Sequence, residues 1–353
     1  MLTPCCGVET PLIALRQMGV PVECHCWETE PCLREQILHE HVHHGIGGQL
    51  NIGRKAGDWT SVYLSELPDA DIVCSGPPCP PFSRSGKSLG WADARTRPFL
   101  MVLECIIEQA RRPSSRLKVF TIENVPGMRD RKPGRDKSAL QEVLAYLRAR
   151  MDGWQFWAWV LQANQHGLAQ RRRRLFINGR RSAIFYKPMP STSPEDIVIE
   201  APFLGDVLLK DQPTELHRLT AKQELVRQHC EAMLQEKHRE VGGYVLACVD
   251  LSRAPGKVRP TMMRMDGTCF TLTCSSCYIW LMSAGEGPRY DRFMQCWERA
   301  MLQGLDPMVC ARIGGLDCKR VKAMGNAMPL PCVGLVLACL LSEPLESIQQ
   351  PVA

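Results

Sequence analysis

The sequence predicts an α/β protein in which a mostly parallel sheet is followed by a second, smaller domain. Helix-like and strand-like patterns alternate through about the first 180 residues, which is typical of a parallel sheet with helices on both faces. After Arg181 the chain becomes Pro-rich and irregular over residues 182–215, and then β-rich over residues 241–282. The length of 353 residues suits about two domains.

Elements of the first domain are predicted from apolar periodicity and from stop signals. Helical periodicity predicts helices at 11–18, 31–43, 99–110 and 138–151, the first of them closed by Gly19. Short apolar runs predict strands at 20–27, 71–74, 117–122, 156–161 and 175–178. Breakers follow two of these strands. Ligands of such sheets bind beyond the carboxyl ends of strands, so we expect a site at loops 75–87 and 123–129.

Three further helices are predicted beyond residue 215. The first is amphipathic over residues 220–237, with Thr220 as its N-cap and Glu224 in its first turn. The others are predicted at 292–302 and 329–341.

Composition excludes several classes of protein. Hydrophobic residues make up 45% of the chain and charged residues 23%, which excludes a disordered chain and a disulfide-dependent mini-protein. No apolar run approaches 18 residues, so no membrane span is predicted. The 18 cysteines come without a secretion signal and are expected to be reduced in an intracellular protein. The net charge is only +6, but residues 170–174 concentrate positive charge.

The most unusual loop is Ser-Gly-Pro-Pro-Cys-Pro-Pro-Phe-Ser at residues 75–83, directly after a predicted strand. Prolines fix the backbone angle φ, so this loop is stiff and suits a nucleophile at Cys79. The alternative is a Pro-rich turn that holds a buried thiol. On this loop alone the two interpretations are about even, and 18 cysteines make any single one a weak candidate.

Three other segments carry candidate residues. Glu123 ends a buried strand, where a carboxyl group can donate a proton. Strand alternation places Arg172 and Arg174 on one face, where they could hold a phosphate or a carboxylate. A Gly-Asn pair at residues 325–326 precedes an apolar helix and its free N–H groups. Taken singly, each has an ordinary alternative: an exposed glutamate, a solvated basic run and a helix cap.

In order and position, these motifs resemble the cytosine-C5 methyltransferase family. Residues 75–83 resemble its catalytic-cysteine motif and residues 123–125 its Glu-Asn-Val motif. Residues 170–174 resemble its Gln-x-Arg-x-Arg motif, and residues 325–326 its closing Gly-Asn motif. Residues 292–307 are similar to its Arg-Glu-x-Ala-Arg-Leu-Gln-Gly-Phe-Pro helix. The resemblance extends from about residue 5 to residue 340.

The resemblance implies a Rossmann-like class I methyltransferase sheet with a smaller target-recognition domain. It places the S-adenosylmethionine-binding catalytic domain at 1–185 and target recognition at 186–290. A hinge and a helix that returns to the catalytic domain follow at 291–346. The implied function is DNA (cytosine-5-)-methyltransferase activity on a cytosine flipped out of double-stranded DNA. The implied catalytic residues are Cys79, Glu123, Arg172 and Arg174, with Arg172 holding either Glu123 or a phosphate.

The resemblance also implies binding residues, one position at a time. Those for S-adenosylmethionine are Gly7, Val8, Glu28, Thr29, Asp58, Trp59, Pro78 and Asn326. Those for DNA are Ser83, Arg84, Thr271 and Thr273, with positive charge added by Lys257, Arg259 and Arg264. Three positions depart from the family pattern: Cys5 replaces a phenylalanine, Glu9 a glycine and Pro80 the common glutamine. The first two departures predict altered cofactor affinity.

Two alternatives stay open. The segment Cys269-Phe270-Thr271 resembles a signature of the tRNA-modifying branch, and the departures at Cys5 and Glu9 favour a catalytically idle nucleic-acid-binding relative. We expect no metal, because Cys269, Cys274 and Cys277 lack a nearby fourth ligand. We expect a monomer without a membrane partner, located in the nucleus, or in the cytoplasm if the source is bacterial. The target sequence cannot be read from these residues.

Overall fold

The computed structural model describes residues 1–47, 57–83, 89–184, 192–210, 219–252, 263–315 and 317–342. Arg84, Lys257 and Arg259, named above as possible DNA contacts, lie outside these ranges. The chain forms two compact units. The first contains Met1–Leu161, Arg173–Val198 and the segment that begins at Cys332, and the second contains Gln162–Arg172 and Ile199–Pro331.

These units differ from the division expected at residues 185 and 290. Residues 162–172 and 291–331 belong to the second unit, and the chain returns to the first only at Cys332. The returning helix packs there through Gly334, where an added Cβ would stand 3.8 Å from Cβ of Ala14.

The first unit is built on a six-stranded mixed sheet in the order β2-β1-β3-β4-β6-β5. Its strands are β1 (Leu2–Pro4), β2 (His25–Trp27), β3 (Ile72–Ser75), β4 (Val119–Asn124), β5 (Trp154–Gln162) and β6 (Arg173–Arg181). Strands β1 to β4 are parallel, as the alternating pattern predicts. Strand β6 runs antiparallel to β4. The short connection 163–172 between β5 and β6 lacks the crossover helix that parallel neighbours need.

Among the described residues of this unit, the sheet is accompanied by the helices α1 (Thr10–Gln17), α2 (Pro31–His43), α3 (Arg97–Arg111), α4 (Ala139–Arg148) and α10 (Leu330–Leu341). Helix α3 buries Phe99, Val102 and Ile106, which recur at helical spacing, against Phe120 and Ile122 of β4. Burial of each such side chain stabilises the fold by about 1.5–3 kcal/mol. This packing fixes the strand ends at which the candidate site lies.

The second unit holds a four-stranded antiparallel sheet in the order β10-β9-β7-β8. Its elements are β7 (Val245–Asp250), β8 (Met263–Arg264), β9 (Ile279–Ala284), β10 (Asp291–Phe293), α5 (Leu204–Val207), α6 (Ala221–Val241), α7 (Cys296–Met301), α8 (Pro307–Ala311) and α9 (Asp317–Asn326). Thr220 caps α6 by accepting from the N–H of Gln223, as predicted. The helix predicted at 292–302 is wrong at its start, because residues 291–293 pair with β9 instead.

The stretch Asp317–Leu341 has the length and apolar composition of a membrane span, and 67% of its most apolar window is buried inside the structure. A buried core helix passes the same test, so this stretch is weak evidence for a membrane span.

Candidate active site

Cys79 lies in a tight turn directly beyond the end of β3. Its carbonyl oxygen accepts from the N–H groups of Phe82 and Ser83, both at 3.0 Å. The ring of Phe82 is 2% exposed and packs edge-on against Trp91, with ring centroids 4.9 Å apart. The turn is therefore anchored in the core by Phe82, while Cys79 itself stays half-buried. The structure thus places the thiol in a loop that is stiff for both backbone and packing reasons.

The strand next to the Cys79 loop ends in Glu123 and Asn124. Strands β3 and β4 are parallel, with Ser75 opposite Ile122, so their carboxyl ends lie at one edge of the sheet. The side-chain Nδ2 of Asn124 is buried and donates to the carbonyl of Pro77 at 3.3 Å. This bond ties the end of β4 to the loop that carries Cys79.

Arg174 pairs with Glu123 from the neighbouring strand β6. Its Nε atom lies 2.8 Å from Oε1 of Glu123, and the two side chains are only 12% and 10% exposed. The backbone positions that aim the pair are set by antiparallel register, with Phe176 opposite Glu123. A half-buried thiol, a carboxyl group and a guanidinium therefore occupy one edge of the sheet.

A second arginine, Arg95, interacts with Cys79 and was not predicted from the sequence. Arg95 donates from Nε to Oδ1 of Asp93 at 2.9 Å, and this bond lowers the pKa of Asp93 to about 2. The charge of Arg95 also interacts with Cys79. Arg95 belongs to none of the motifs described above. Sixteen positions separate it from Cys79, and only the tertiary structure brings the two residues together.

The predicted cofactor residues gather at the amino-terminal strands. The N–H of Gly7 donates to Oε2 of Glu28 at 2.9 Å, and the N–H of Glu30 donates to Oε1 of Glu28, also at 2.9 Å. Burial raises the pKa of Glu28. Gly7 has a φ of +59°, and a Cβ placed there would meet no atom within 4 Å. The site therefore offers a carboxylate beside open space.

Asp58 lies near Glu28, because the backbone of the preceding residue, Gly57, comes close to the backbone of Glu28. A Cβ at Gly57 would stand 1.9 Å from the carbonyl oxygen of Glu28, and its φ is +82°, so only glycine fits there. Oδ1 of Asp58 accepts from the N–H of Thr60 at 2.9 Å. Burial and, to a smaller extent, the negative charges of Glu28 and Asp58 raise the pKa of the Cys5 thiol to about 12. Cys5, Glu28 and Asp58 are thus close neighbours.

The remaining predicted cofactor residues lie in different surroundings. Trp59 is 2% exposed and packs edge-on against Trp27 at 4.9 Å, so its ring is part of the core instead of a free surface for an adenine ring. Val8 is 1% exposed, Thr29 is exposed, and Pro78 is half-buried beside Cys79.

In the structure Arg172 binds main-chain carbonyls, whereas the resemblance implies that it holds Glu123 or a phosphate. Its guanidinium is buried and donates to three main-chain carbonyls of the second unit, those of Leu272 at 2.5 Å, Gly325 at 3.1 Å and Ala327 at 2.8 Å. The reason is that β6 begins only at Arg173, so strand alternation does not apply to Arg172. The observed ion-pair partner of Glu123 is Arg174.

Two buried glutamines extend this network in the second unit. Gln170 donates from Nε2 to the carbonyl of Leu302 at 2.7 Å and accepts from the N–H of Leu272 at 2.9 Å. Gln303 donates to the carbonyl of Met324 at 2.7 Å. Three segments that carry separate motifs are therefore joined by side-chain amides. Gln170 lies in the motif at residues 170–174 and Gln303 in the motif at residues 292–307. These positions are the signal that could have identified the two glutamines.

Thr271, Thr273 and Asn326 also lie in the second unit. Thr271 donates from Oγ1 to the carbonyl of Arg171 at 2.5 Å. An added Cβ at Gly325 would stand 2.2 Å from the carbonyl carbon of Thr273, so the Thr-Leu-Thr and Gly-Asn segments are in contact. The Gly-Asn pair closes α9 and precedes the apolar helix α10, which begins at Leu330, as predicted. Asn326 is exposed there.

Comparison with known proteins identifies the family. The model of the family described as C-5 cytosine-specific DNA methylase matches residues 49–340. The type II methyltransferase M.NgoBI of Neisseria gonorrhoeae is 33% identical over 168 residues, 47% of this chain and 48% of that protein. M.DsaV of Dactylococcopsis salina is 25% identical over 292 residues, 81% of this chain and 73% of that one. The match to M.NgoBI thus spans about half the length of that relative.

Solved structures agree on the fold. The Entamoeba histolytica methyltransferase EhMeth has a TM-score of 0.64 at 13% identity, and the match covers 96% of each chain. The S. pombe Dnmt2 methyltransferase has a TM-score of 0.59 at 15% identity, and the match covers 96% of this chain and 97% of that one. Because the family model spans most of the sequence, this chain belongs to the C-5 cytosine-specific DNA methylase family, whose methyl donor is S-adenosylmethionine.

Proposed function

We propose that this protein is a DNA (cytosine-5-)-methyltransferase that methylates a flipped cytosine through a covalent adduct with Cys79. The observation that carries the proposal is the shared sheet edge. There, the Asn124–Pro77 hydrogen bond ties the Cys79 loop to the strand of the Glu123–Arg174 ion pair. The family description names DNA as the methylated molecule. Double-stranded DNA is therefore the proposed substrate.

The chemistry requires these three groups together. C5 of cytosine is a poor nucleophile until a thiolate adds to C6, which is the task proposed for Cys79. The addition moves negative charge toward N3 and O2 of the base. Glu123 is proposed to bind N3 and Arg174 to bind O2. Once C5 carries the methyl group, loss of its proton to water restores the C5–C6 double bond and expels the Cys79 thiolate. Arg172 is proposed to act by positioning, because its donors are occupied by main-chain carbonyls.

The residues around Gly7 fit the methyl donor of the family. Open space beside Gly7 and the two carboxylate oxygens of Glu28 can accept both hydroxyls of a ribose. Asp58, held nearby, is proposed to accept from the adenine amine. S-adenosylmethionine, when bound, supplies an electrophilic methyl group. Cys5 offers less surface than the family's phenylalanine for the adenine ring, so we expect weaker binding than in relatives that keep the aromatic residue.

The tRNA alternative requires the same groups at the same sheet edge. The burial of Cys269 weakens the argument from the Cys269-Phe270-Thr271 segment, which suggested this alternative. Cys269 is fully buried, and its sulfur lies 3.6 Å from that of Cys248. Its thiol therefore serves packing in the second unit and is not exposed to a nucleic acid. We keep tRNA as a second arm of the test.

Trapping on a 5-fluorocytosine duplex in the presence of S-adenosylmethionine tests nucleophile, cofactor and substrate together, because fluorine at C5 cannot leave as a proton would. We expect a denaturation-resistant complex with the unaltered protein and with Cys274→Ser, which alters an exposed thiol. We expect none with Cys79→Ser. Adducts formed only on 5-fluorocytosine-containing tRNA would instead select the RNA branch. Cofactor binding by calorimetry without an adduct on either nucleic acid would identify an idle relative.

A further inference from the structure

We propose that the first unit contains a zinc site built from Glu9, Cys24 and His41, completed by a thiolate from the neighbouring pair Cys6 and Cys26. The site lies among the loop between β1 and α1, the start of β2, and helix α2. Its ligands are not residues proposed for methyl transfer, although Cys6 and Glu9 directly flank Gly7 and Val8 of the proposed cofactor site. No part of the methyltransferase proposal requires it.

The potential ligands form two groups of three residues, and Glu9 belongs to both groups. The potential ligand atoms of Glu9, Cys24 and His41 all lie within 4.8 Å of one another, and so do those of Cys6, Glu9 and Cys26. Tetrahedral zinc with bonds of 2.0–2.3 Å requires ligand atoms about 3.3–3.8 Å apart. The sulfur of Cys24 is already 3.5 Å from Oε2 of Glu9. To bind one ion, the other ligand atoms must come closer together than the 4.8 Å limit within which each group now lies.

Secondary structure explains why these side chains converge. Cys26 lies in β2 and Cys24 directly precedes that strand, and each thiol belongs to a group that contains the Glu9 carboxylate. Glu9 is the N-cap residue of α1 and has a φ of 61°, in the left-handed region. His41 lies in the last turn of α2. Three separate elements therefore deliver sulfur, oxygen and nitrogen ligands to one point.

An unpartnered nitrogen points to a missing ligand. His41 is 7% exposed, and its Nε2 atom is buried without a hydrogen-bond partner. Buried polar atoms are rarely left in this state, and His41 belongs to the same group as Glu9 and Cys24. A metal ion bound at Nε2 satisfies it.

The shared carboxylate gives a second, independent reason. Glu9 is fully buried, and within the described residues it forms no ion pair with a lysine or an arginine. Its oxygens contact the hydroxyl of Thr3 at 2.8 Å and the thiol of Cys24 at 3.5 Å. Buried carboxylates are normally paired or bound to metals. A divalent cation would supply the charge that these neutral groups lack.

Zinc is the metal that this ligand set favours. Mixed thiolate, imidazole and carboxylate ligands suit Zn²⁺, whereas calcium and magnesium take oxygen ligands. Each cysteine that binds releases its thiol proton to solvent. The ion enters from solution, and no oxidation or reduction is involved.

The metal content of the full chain tests the proposal. Protein purified from zinc-supplemented cells and dialysed against a weak chelator should hold about one zinc per chain by elemental analysis and native mass spectrometry. Cys24→Ser and His41→Gln should each lower the zinc content at least fivefold. The matched controls Cys32→Ser and His39→Gln lie on α2 outside both groups and should keep the full zinc content.

A second measurement on the unaltered protein covers the case in which variants fail to fold. Cobalt added to metal-free protein should give thiolate charge-transfer absorption and the visible bands of tetrahedral Co²⁺, with saturation at one equivalent. Folded protein that holds no zinc and shows no such bands would overturn the proposal. Equal zinc loss in the controls and the test variants would overturn it too. Neither result depends on methyl transfer, so the proposed activity is tested separately.

Discussion

Arg174 Nε lies 2.8 Å from Oε1 of Glu123 in a pair whose side chains are 12% and 10% exposed. Little water can therefore compete for this ion pair, and the guanidinium already lies beside the carboxyl group before a base arrives. A charged pair held in a partly desolvated site costs no reorganisation during reaction. The pair joins two strands that are antiparallel neighbours at the sheet edge next to the Cys79 loop.

Glu123→Gln should lower kcat by about 10²- to 10⁴-fold, the range typical of a lost general acid or base. The amide keeps the shape of the carboxyl group but cannot share a proton with N3. The affinity for S-adenosylmethionine should be unchanged by calorimetry. Glu66→Gln, at an exposed position of the same unit, serves as the control and should leave both quantities unaltered. A kcat within twofold of the unaltered protein would remove Glu123 from the mechanism.

Arg95→Gln should slow the alkylation of Cys79 by iodoacetamide at neutral pH. A nearby positive charge favours the reactive thiolate, and Arg95 interacts with Cys79 electrostatically. The arginine side chain is 54% exposed, so solvent screening limits the expected effect to about two- to fivefold. Peptide mapping by mass spectrometry distinguishes Cys79 from the exposed Cys274 and Cys318. Arg97→Gln is the matched control, and an equal effect there would contradict a specific role for Arg95.

Glu28→Ala should weaken S-adenosylmethionine binding by about 10- to 150-fold, because losing a hydrogen bond to a charged group costs about 1.5–3 kcal/mol. Calorimetry measures this directly. Binding to DNA alone should change little. Glu35→Ala, at an exposed position on α2, should leave cofactor affinity intact. An unchanged affinity in Glu28→Ala would show that the cofactor residues implied by the resemblance do not apply to this chain.

Arg172→Ala and Arg171→Ala form a matched pair of adjacent arginines. Removing Arg172 leaves the buried carbonyls of Leu272, Gly325 and Ala327 without this donor, which should lower the free energy of unfolding by about 3–5 kcal/mol. Arg171 is 52% exposed in its ion pair with Asp266, and its loss should cost about 0–1 kcal/mol. Urea denaturation measures both values. Similar losses in the two variants would refute the structural role of Arg172.

Local signals in the sequence determined much of the first unit. Apolar runs and breakers located β3 and β4, and the Pro-rich loop placed Cys79 directly after a strand. Thr220 marked the start of α6 because a capping hydroxyl acts on a backbone group only three residues away. The motif order identified the family, which the family comparison confirms. These signals succeed because the interactions behind them span a few residues.

Only the tertiary structure decided which side chains meet. The resemblance implies that Arg172 holds Glu123 or a phosphate, yet the main-chain carbonyls that it binds lie 100 to 155 positions away. The cluster around Glu9 draws on residues from Cys6 to His41, and no spacing rule links them. Arg95 interacts electrostatically with Cys79 although sixteen positions separate them. The physical reason is common to all three: the direction of a side chain depends on strand register and helix packing, which long-range contacts establish and local sequence does not encode.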